Sequence, residues 1–423
     1  METIFALSSG APPAGIAVVR VSGPCAAAAL VALAGRLPAP RRATAATLRD
    51  GKGEVLDRAL VLWLPGPGTA TGEDVAELHL HGGRAVVRAV EAALGAMGGL
   101  RRAEPGAFTR RAFANGRIDL AEAEGLADLL EAETELQRRT AMAMAGGRLS
   151  RQAEDWRERV LALSAQVEAA LDFSDEEDAE TLPAGFDESR QSLSREICEW
   201  LARPRAERLR EGFRVVLAGP PNTGKSSLFN ALLESEAAIT APTAGTTRDV
   251  LERSVALGGV PFTLVDTAGL HEGSGDAVEV IGIVRARGEL DRADLVLWLG
   301  TEGEGPAGAW EIAAKADLAE SPAKGEAAHR VSAATGAGVD ELKRAMIGRA
   351  RGAMPKPGEV ALNARQHALM SEAGVELSGE CESDLLLVAE RLRFARIAFD
   401  RLVGRASTED MLEALFGRFC IGK

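Results

Sequence analysis

Residues 219–227, reading GPPNTGKSS, set two glycines, a lysine and a hydroxyl residue at one fixed spacing directly after an apolar run. Residues 213–218 (FRVVLA) read as a short buried strand and residues 227–233 (SLFNALL) as the start of a helix. Strand, glycine-rich turn and helix together are the context of a phosphate-binding P-loop. Glycine lets the backbone wrap closely around a phosphate, and the helix N-terminus offers free N–H groups and a favourable dipole. Lys225 then reaches the β- and γ-phosphates and Ser226 holds Mg2+.

Motifs further along the chain narrow the nucleotide. Asp266-Thr267-Ala268-Gly269 comes after another apolar run, residues 262–265, which puts a carboxylate at a strand end where a further Mg2+ contact is needed. Between the two motifs a Gly- and Thr-rich segment carries Thr246, Thr247, Arg248 and Asp249, able to bring a hydroxyl to the metal. Lys315-Ala316-Asp317 and Ser332-Ala333 come next, in the order expected of a GTPase. The Asp317 carboxylate can accept two hydrogen bonds from the guanine N1–H and N2 edge, which adenine does not supply, so the nucleotide is expected to be GTP.

A chain of 423 residues is too long for one ordinary domain, and two or three are expected. The net charge of −13 argues against a broad basic face for nucleic acid; RNA contact would need a local patch or a basic partner. The absence of an apolar run of about 18 residues, and of a charged-then-apolar leader in METIFALSSG, predicts a cytoplasmic protein without membrane contact. Cys25, Cys198, Cys381 and Cys420 are scattered, with neither a C-x-x-C pair nor a His at ligand spacing, so neither disulfides nor zinc are expected. The first three read as inert small hydrophobes. Cys420, in Phe419-Cys420-Ile421-Gly422-Lys423, is either accidental or delivered into a site elsewhere.

Taken in order, residues 1–118 have β and turn character, with strand-like runs at 16–21, 59–64 and 77–81 and a helical pattern over 84–94. Polar residues concentrate in 71–83; alternation places His79 and His81 on one solvated face, a reading preferred to metal binding. Residues 119–211 are helical. Asp119 and Glu122 form a capping box, Leu120, Ala123, Leu126, Ala127 and Leu130 mark one face, and Trp156, Val160, Leu163, Val167 and Leu171 form a core stripe. The acidic run 174–180 reads as a solvated loop. The nucleotide unit spans 212–352, with 352–357 (GAMPKP) a linker by composition, and helical pattern returns at Val388, Leu392, Ala395, Phe399 and Leu402. Helices on both sides of an α/β unit suggest one helical domain, 119–211 with 353–423, into which the GTPase is inserted.

GEDVAELHLHGG, EPGAFTRRAFANGRIDLAEAEGLADLL, GPPNTGKSSLFNAL, AGTTRDV and the terminal FCIGK, colinear over essentially the whole chain, closely resemble the MnmE (TrmE) family of tRNA uridine-modification GTPases. The resemblance implies an α/β multidomain fold: an N-terminal α+β folate-binding and dimerising domain, a discontinuous helical domain, and an inserted Ras-like P-loop domain. It implies a homodimer that joins a flavin-dependent partner, MnmG or GidA, in a heterotetramer, with FAD and NADH on the partner alone. The product is a carboxymethylaminomethyl-type group at carbon 5 of the wobble uridine of certain tRNAs. GTP hydrolysis is required, and a tetrahydrofolate derivative, 5-formyl or 5,10-methylene, supplies the one-carbon unit. Folate binding falls on Arg20, Glu77, Arg117 and Lys423, which suits a pterin edge that donates to a carboxylate and a glutamate tail that seeks cations. The resemblance also folds the C-terminal motif back towards that site and suggests a part for Cys420 in the modification chemistry. Nucleotide contacts fall on Asn222, Thr223, Gly224, Lys225, Ser226 and Ser227, on Ala241, Thr243, Gly245, Thr246 and Thr247, on Asp266, Thr267, Ala268 and Gly269, and on Lys315, Asp317, Ser332 and Ala333.

After Gly269 comes Leu270, where Ras-type enzymes carry the glutamine that orients the attacking water. The resemblance gives that role to Glu279, in residues 278–283, with Lys225 as the other catalytic residue. In place of an arginine finger it implies K+, held on G-domain dimerisation by Asn222, Ala241, Thr243 and Thr246, while Thr247 joins Ser226 on Mg2+. A cation beside the β–γ bridge neutralises charge that grows as the bond breaks. One departure is clear: the family's N-K-x-D reads Ala314-Lys315-Ala316-Asp317 here, which predicts weaker GTP binding with guanine preference kept. Two other classes share some of these features. A GTP-dependent ribosome-assembly switch would not need Arg20, Glu77, Arg117, Cys420 or Lys423. A folate-binding protein with a weakened GTPase is raised by Ala314 and opposed by the intact Lys225, Ser226, Asp266 and Glu279.

Overall fold

The computed structural model describes residues 2–172, 182–234, 251–267, 287–318, 324–379, 384–406 and 408–423. Contacts group the chain into two compact units, one of Met1–Ala127, Leu149–Arg157 and Ile397–Lys423, the other of Asp128–Arg148 and Glu158–Arg396.

The first unit is built on a sheet of β1 (Thr3–Leu7), β2 (Ile16–Ser22), β3 (Thr44–Arg49), β4 (Val55–Leu64), β5 (Val75–His81) and β6 (Leu100–Arg102), in the order β3-β4-β5-β2-β1-β6. Every pairing is antiparallel except β1 with β6. Leu30 and Leu33 of the helix Ala26–Ala34, and Val87, Val90 and Leu94 of the helix Arg84–Gly95, share a core with Val19, Val21, Val61, Leu78 and Leu80. Because strand side chains alternate, covering that face leaves Arg20, Glu77 and His79 on the other. The three strand runs and the helix read in the sequence are present as β2, β4, β5 and Arg84–Gly95. The helices Ala26–Ala34 and Ala107–Ala114, with β1, β3 and β6, were not read. AAAALVALA is apolar at every position and so has no period to detect.

The second unit contains a sheet of β7 (Phe213–Ala218), β8 (Leu251–Leu257), β9 (Val260–Asp266), β10 (Leu295–Trp298), β11 (Trp310–Ala313) and β12 (His329–Arg330), ordered β12-β11-β10-β7-β9-β8. It is parallel apart from the β8–β9 hairpin. All seven residues of β9 are buried, as parallel strands covered on both faces require. Consecutive crossovers leave β7 to opposite sides, towards β9 and β10, so the turn after β7 opens at the crevice where such sheets bind ligands. The α/β multidomain class is borne out.

The helical stripes are largely as read. Trp156, Val160, Leu163 and Val167 are buried, as are Val388, Leu392, Ala395, Phe399 and Leu402, while Leu171 is half-buried. The capping box is formed: Asp119 N–H donates to Glu122 at 2.9 Å and Glu122 N–H to Asp119 at 2.8 Å. Three expectations need correction. Leu130 is exposed, because the buried stripe of its helix Leu120–Glu131 ends at Ala127. Gly352 and Ala353 continue the helix Val339–Ala353, and Met354 and Pro355 are buried, so of the linker expected at 352–357 only Lys356 and Pro357 are exposed chain beyond the helix. Cys198 is exposed rather than a buried hydrophobe. Cys381 and the acidic run 174–180 lie outside the described residues.

Trp156 lies 5.7 Å from the Phe399 ring and is fully buried. Trp156→Ala is expected to lower unfolding free energy by about 3–5 kcal/mol, read as a lower denaturant midpoint with an unchanged slope.

Candidate functional site

The turn after β7 is held by backbone that only particular residues tolerate. Gly219 has φ 144°, and a Cβ there would lie 2.8 Å from the Gly300 nitrogen; Gly224 has φ 98°. Asn222 takes φ 63°, a conformation Asn accepts more readily than most residues. The helix Lys225–Glu234 begins directly afterwards, two residues before the sequence pattern placed it, with Ser226 and Ser227 in its first turn.

Lys225 is 3% exposed and folds over the turn, donating from Nζ to Gly219 O at 2.8 Å and to Pro220 O at 2.7 Å. Burial pushes its ammonium below the usual lysine range, and the Asp266 carboxylate opposes that shift. Such a cation, short of solvent, gains from an anion entering the turn. Thr223 Oγ1 donates to Pro220 O at 2.9 Å and braces the same loop. Ser226 Oγ donates to Asp266 Oδ2 at 2.7 Å, and Asp266 is fully buried. A hydroxyl and a carboxylate beside a phosphate cradle are hard oxygen donors suited to Mg2+. Thr267, also buried, ties the end of β9 to β7 through Oγ1 and Leu217 O at 2.8 Å.

The residues that the sequence assigns to the base follow two further strands, β11 and β12. Lys315 has φ 57° and donates from Nζ to Asn222 O at 2.7 Å, which ties residues 314–317 to the turn after β7. Asp317 is exposed; the Ser332 hydroxyl and its own backbone N–H hold its carboxyl below the usual range. Ser332 is buried and Ala333 half-buried, and Ala316 N–H donates to Val331 O at 3.1 Å, which sets the two segments side by side. A Cβ on Gly224 would lie 3.7 Å from the Ala314 Cβ, so an asparagine at 314 would reach the turn. Ala241, Thr243, Gly245, Thr246, Thr247, Ala268, Gly269 and Glu279 lie outside the described residues.

A second constellation occupies the uncovered face of the first sheet. Arg20 and Glu77 are register partners on β2 and β5, and Arg20 Nε and Nη2 donate to Glu77 Oε1 at 3.0 and 2.9 Å. His79 Nε2 is 3.3 Å from the other Glu77 oxygen, and His81 Nδ1 is 2.7 Å from Asp57. Both histidines thus have carboxylate partners. Among the described residues no group of three or more His, Cys, Asp or Glu is arranged to hold a metal.

The C-terminal segment is docked beside this pair. Ile421 bridges Pro105, and Phe108 N–H donates to Lys423 O at 3.2 Å. The Phe108 ring lies under Arg20, its centroid 5.8 Å from the guanidinium carbon. Gly422, with φ 97°, passes so close to β1 that a Cβ would sit 2.0 Å from Leu7 O. Lys423 is therefore brought to the Arg20–Glu77 neighbourhood, and Cys420 is an exposed free thiol on the same segment. The stem of Arg117 lies at Gly72, where a Cβ would be 3.2 Å from Arg117 Cγ.

Sequence reasoning missed what binds these parts. Arg111 Nη1 donates to Glu73 at 2.7 Å and to Ser22 O at 3.1 Å, while Ser22 Oγ donates to Glu73 at 2.8 Å. Asn115 Nδ2 donates to Thr71 O at 2.7 Å, so the 71–73 loop is fixed to the end of β2. The polar run 71–77 was the available signal. Nothing in the spacing pointed to Arg111, Asn115 or Phe108, which meet the loop and Arg20 only through folding.

The family model for the GTP-binding protein TrmE N-terminus matches residues 3–117, and that for the MnmE helical domain matches residues 120–420. The tRNA modification GTPase MnmE of Erythrobacter litoralis is 66% identical, with 100% of each chain covered. That of Novosphingobium aromaticivorans is 63% identical, again over 100% of both. Among solved structures, the G domain of the T. maritima FeoB iron transporter is 26% identical, covering 32% of this chain and 98% of that one at a TM-score of 0.23. The full-length relatives and the two family models together place this chain in the MnmE family of tRNA modification GTPases.

Proposed function

We propose that this GTPase works with a flavin-dependent MnmG-type partner to add a carboxymethylaminomethyl-type group at carbon 5 of the wobble uridine, using a tetrahydrofolate one-carbon unit. The observation that carries the reading is the docking of residues 421–423 through Phe108 onto the sheet face that bears Arg20 and Glu77. A GTP switch alone has no use for it. In this reading Glu77 accepts from the donor edge of a pterin, and Arg20, Arg117 and Lys423 attract the glutamate tail. Cys420 takes part in the modification chemistry. The reading includes the three-domain division, 1–118, 119–211 with 353–423, and 212–352, a homodimer, and a cytoplasmic location shared with tRNA.

Hydrolysis then rests on the phosphate turn and its neighbours. The turn 219–224 and the N–H groups at the start of Lys225–Glu234 cradle the phosphates. Lys225 exchanges its two carbonyl partners for phosphate oxygens, which restores a counter-charge to a desolvated ammonium. Ser226 and Thr247 hold Mg2+, which when bound neutralises charge on the β- and γ-phosphates. Glu279 orients the attacking water, and Asp317 reads the guanine edge. Asn222, Ala241, Thr243 and Thr246 hold K+ on dimerisation.

GTP turnover in matched KCl and NaCl buffers, with ATP as control, tests the potassium part: activity confined to GTP and KCl is expected, and equal rates in the two salts would remove it. Titration with 5-formyl-tetrahydrofolate tests the folate part, with Glu77→Gln expected to weaken binding on the order of tenfold through the lost charge-assisted bonds.

Ala314→Asn is expected to tighten GDP binding by roughly fivefold, since the new amide would bond across the turn for about 1 kcal/mol. An unchanged GDP affinity in calorimetry would count against the reading of Ala314 as a weakening departure.

A further inference from the structure

The hairpin between β8 and β9 turns on Gly258 and Gly259, with φ 55° and 76°. Beside it opens a cleft of about 410 Å3, floored by the two glycines and walled by Glu135, Arg139, Arg351 and Lys356. Gly258 O accepts from Arg351 Nη2 at 3.2 Å, and Gly259 O accepts from Leu136 N–H at 3.1 Å. The glycine carbonyls are turned to these donors, and the rim presents cations.

The charge balance there is opposite to that of the whole chain. Glu135 is bonded to Arg138 at 2.7 Å and to Arg139 at 2.6 Å, and these arginines pull its carboxyl down to about 2. Lys356 lies 4.0 Å from Glu359. The lining itself thus holds three cations, Arg139, Arg351 and Lys356, to one carboxylate, Glu135, on a chain of net charge −13. The charged heads are solvated: the Lys356 side chain is 81% exposed and that of Arg139 55%.

We propose that this cleft is where the chain itself contacts the phosphate backbone of its tRNA substrate. Solvated cations around a shallow, glycine-floored cleft suit phosphodiesters, whose binding rests on charge neutralisation and counterion release. Leu136, Val260 and Pro355 also line the cleft but are buried, so its exposed side chains are the charged ones and Pro357, whereas a protein partner would need an exposed apolar or aromatic centre. On a chain of net charge −13 such a patch also sets the orientation of a polyanion. The cleft lies at the start of β9, six residues from Asp266 at its end, roughly 20 Å from the phosphate turn. Contact there leaves the nucleotide residues untouched.

The test uses the full chain and unmodified tRNA, with binding followed by anisotropy over a salt series and GTP turnover measured on the same samples. Arg139→Gln combined with Lys356→Glu changes two exposed side chains and spares Arg351, which braces the hairpin. The double variant is expected to bind tRNA on the order of tenfold more weakly, with a log–log salt slope shallower by about one to two and GTP turnover at the wild-type rate. An affinity and slope equal to wild type would overturn the proposal, as would failure of the wild type to bind tRNA, and neither would touch the GTPase assignment. Polyglutamate bound by the wild type as tightly as tRNA, and lost in the same variant, would overturn it in favour of an acidic protein partner.

Discussion

Lys225→Ala is expected to lower GTP turnover by a hundredfold or more, on the order of the loss of a preorganised charge at a transferring phosphoryl group, while leaving fold stability nearly unchanged. The two halves of this expectation have separate causes. In the folded chain the ammonium is 3% exposed and desolvated, with its value below that of ordinary lysine. A base with a depressed folded-state value is disfavoured in its charged form by folding. That burden is fully present at neutral pH and is relieved only as the pH rises towards the ordinary lysine range. Alanine removes the burden and also removes the bonds to Gly219 O and Pro220 O, each worth about 1 kcal/mol net, so the changes offset one another. Nucleotide loses its cation with no such offset. Denaturant unfolding and GTP turnover of the same preparation check both halves; near-wild-type turnover would remove Lys225 from the catalytic set.

Gly422→Ala is expected to abolish folate-dependent modification and leave GTP turnover in place. With φ 97° and a Cβ 2.0 Å from Leu7 O and 2.9 Å from Ser8 Cα, the new methyl meets backbone that no rotamer change can move. The cost is on the order of 2 kcal/mol or more. The bonds seen to hold the segment, Phe108 N–H to Lys423 O and the bridge of Ile421 to Pro105, contribute about 1 kcal/mol each. Local release of the segment is therefore cheaper than unfolding of the sheet. Folate affinity should fall at least tenfold, and hydrogen exchange at Phe108 should rise. Gly106→Ala should do the same from the other side, since its Cβ would lie 2.2 Å from Phe416 O. Tight folate binding by both variants would separate the docked segment from the site.

The phosphate turn was legible because its chemistry is local. Two glycines, Lys225 and Ser226 act within one strand–turn–helix unit, and β7 and β9 announce themselves as mainly apolar runs interrupted only by Arg214 and Thr263 before the carboxylate of Asp266. The helical stripes through Trp156 and Phe399 were legible for a similar reason, since period is a property of neighbouring residues. Ala26–Ala34 was illegible because an all-apolar segment has no period, and the burial of Met354 and Pro355 because Gly and Pro mark a turn without saying whether it is buried. His79 and His81 were placed correctly on one face by alternation, but their carboxylate partners Glu77 and Asp57 were not foreseen.

By itself, then, the sequence determined the class of each segment, the phosphate turn with its lysine and hydroxyl, the carboxylate at the end of β9, and the family. It also exposed Ala314 as a departure. Only the tertiary structure decided that Arg20 and Glu77 are register partners, that Phe108 joins them to residues 421–423, that Arg111 fixes the 71–73 loop, and that three cations gather at the β8–β9 hairpin. Local signals are written in short spacings that backbone geometry repeats. These other contacts join residues tens to hundreds of positions apart, whose meeting depends on strand order, on close backbone approach at Gly422 and Gly106, and on which face of the sheet the helices leave uncovered.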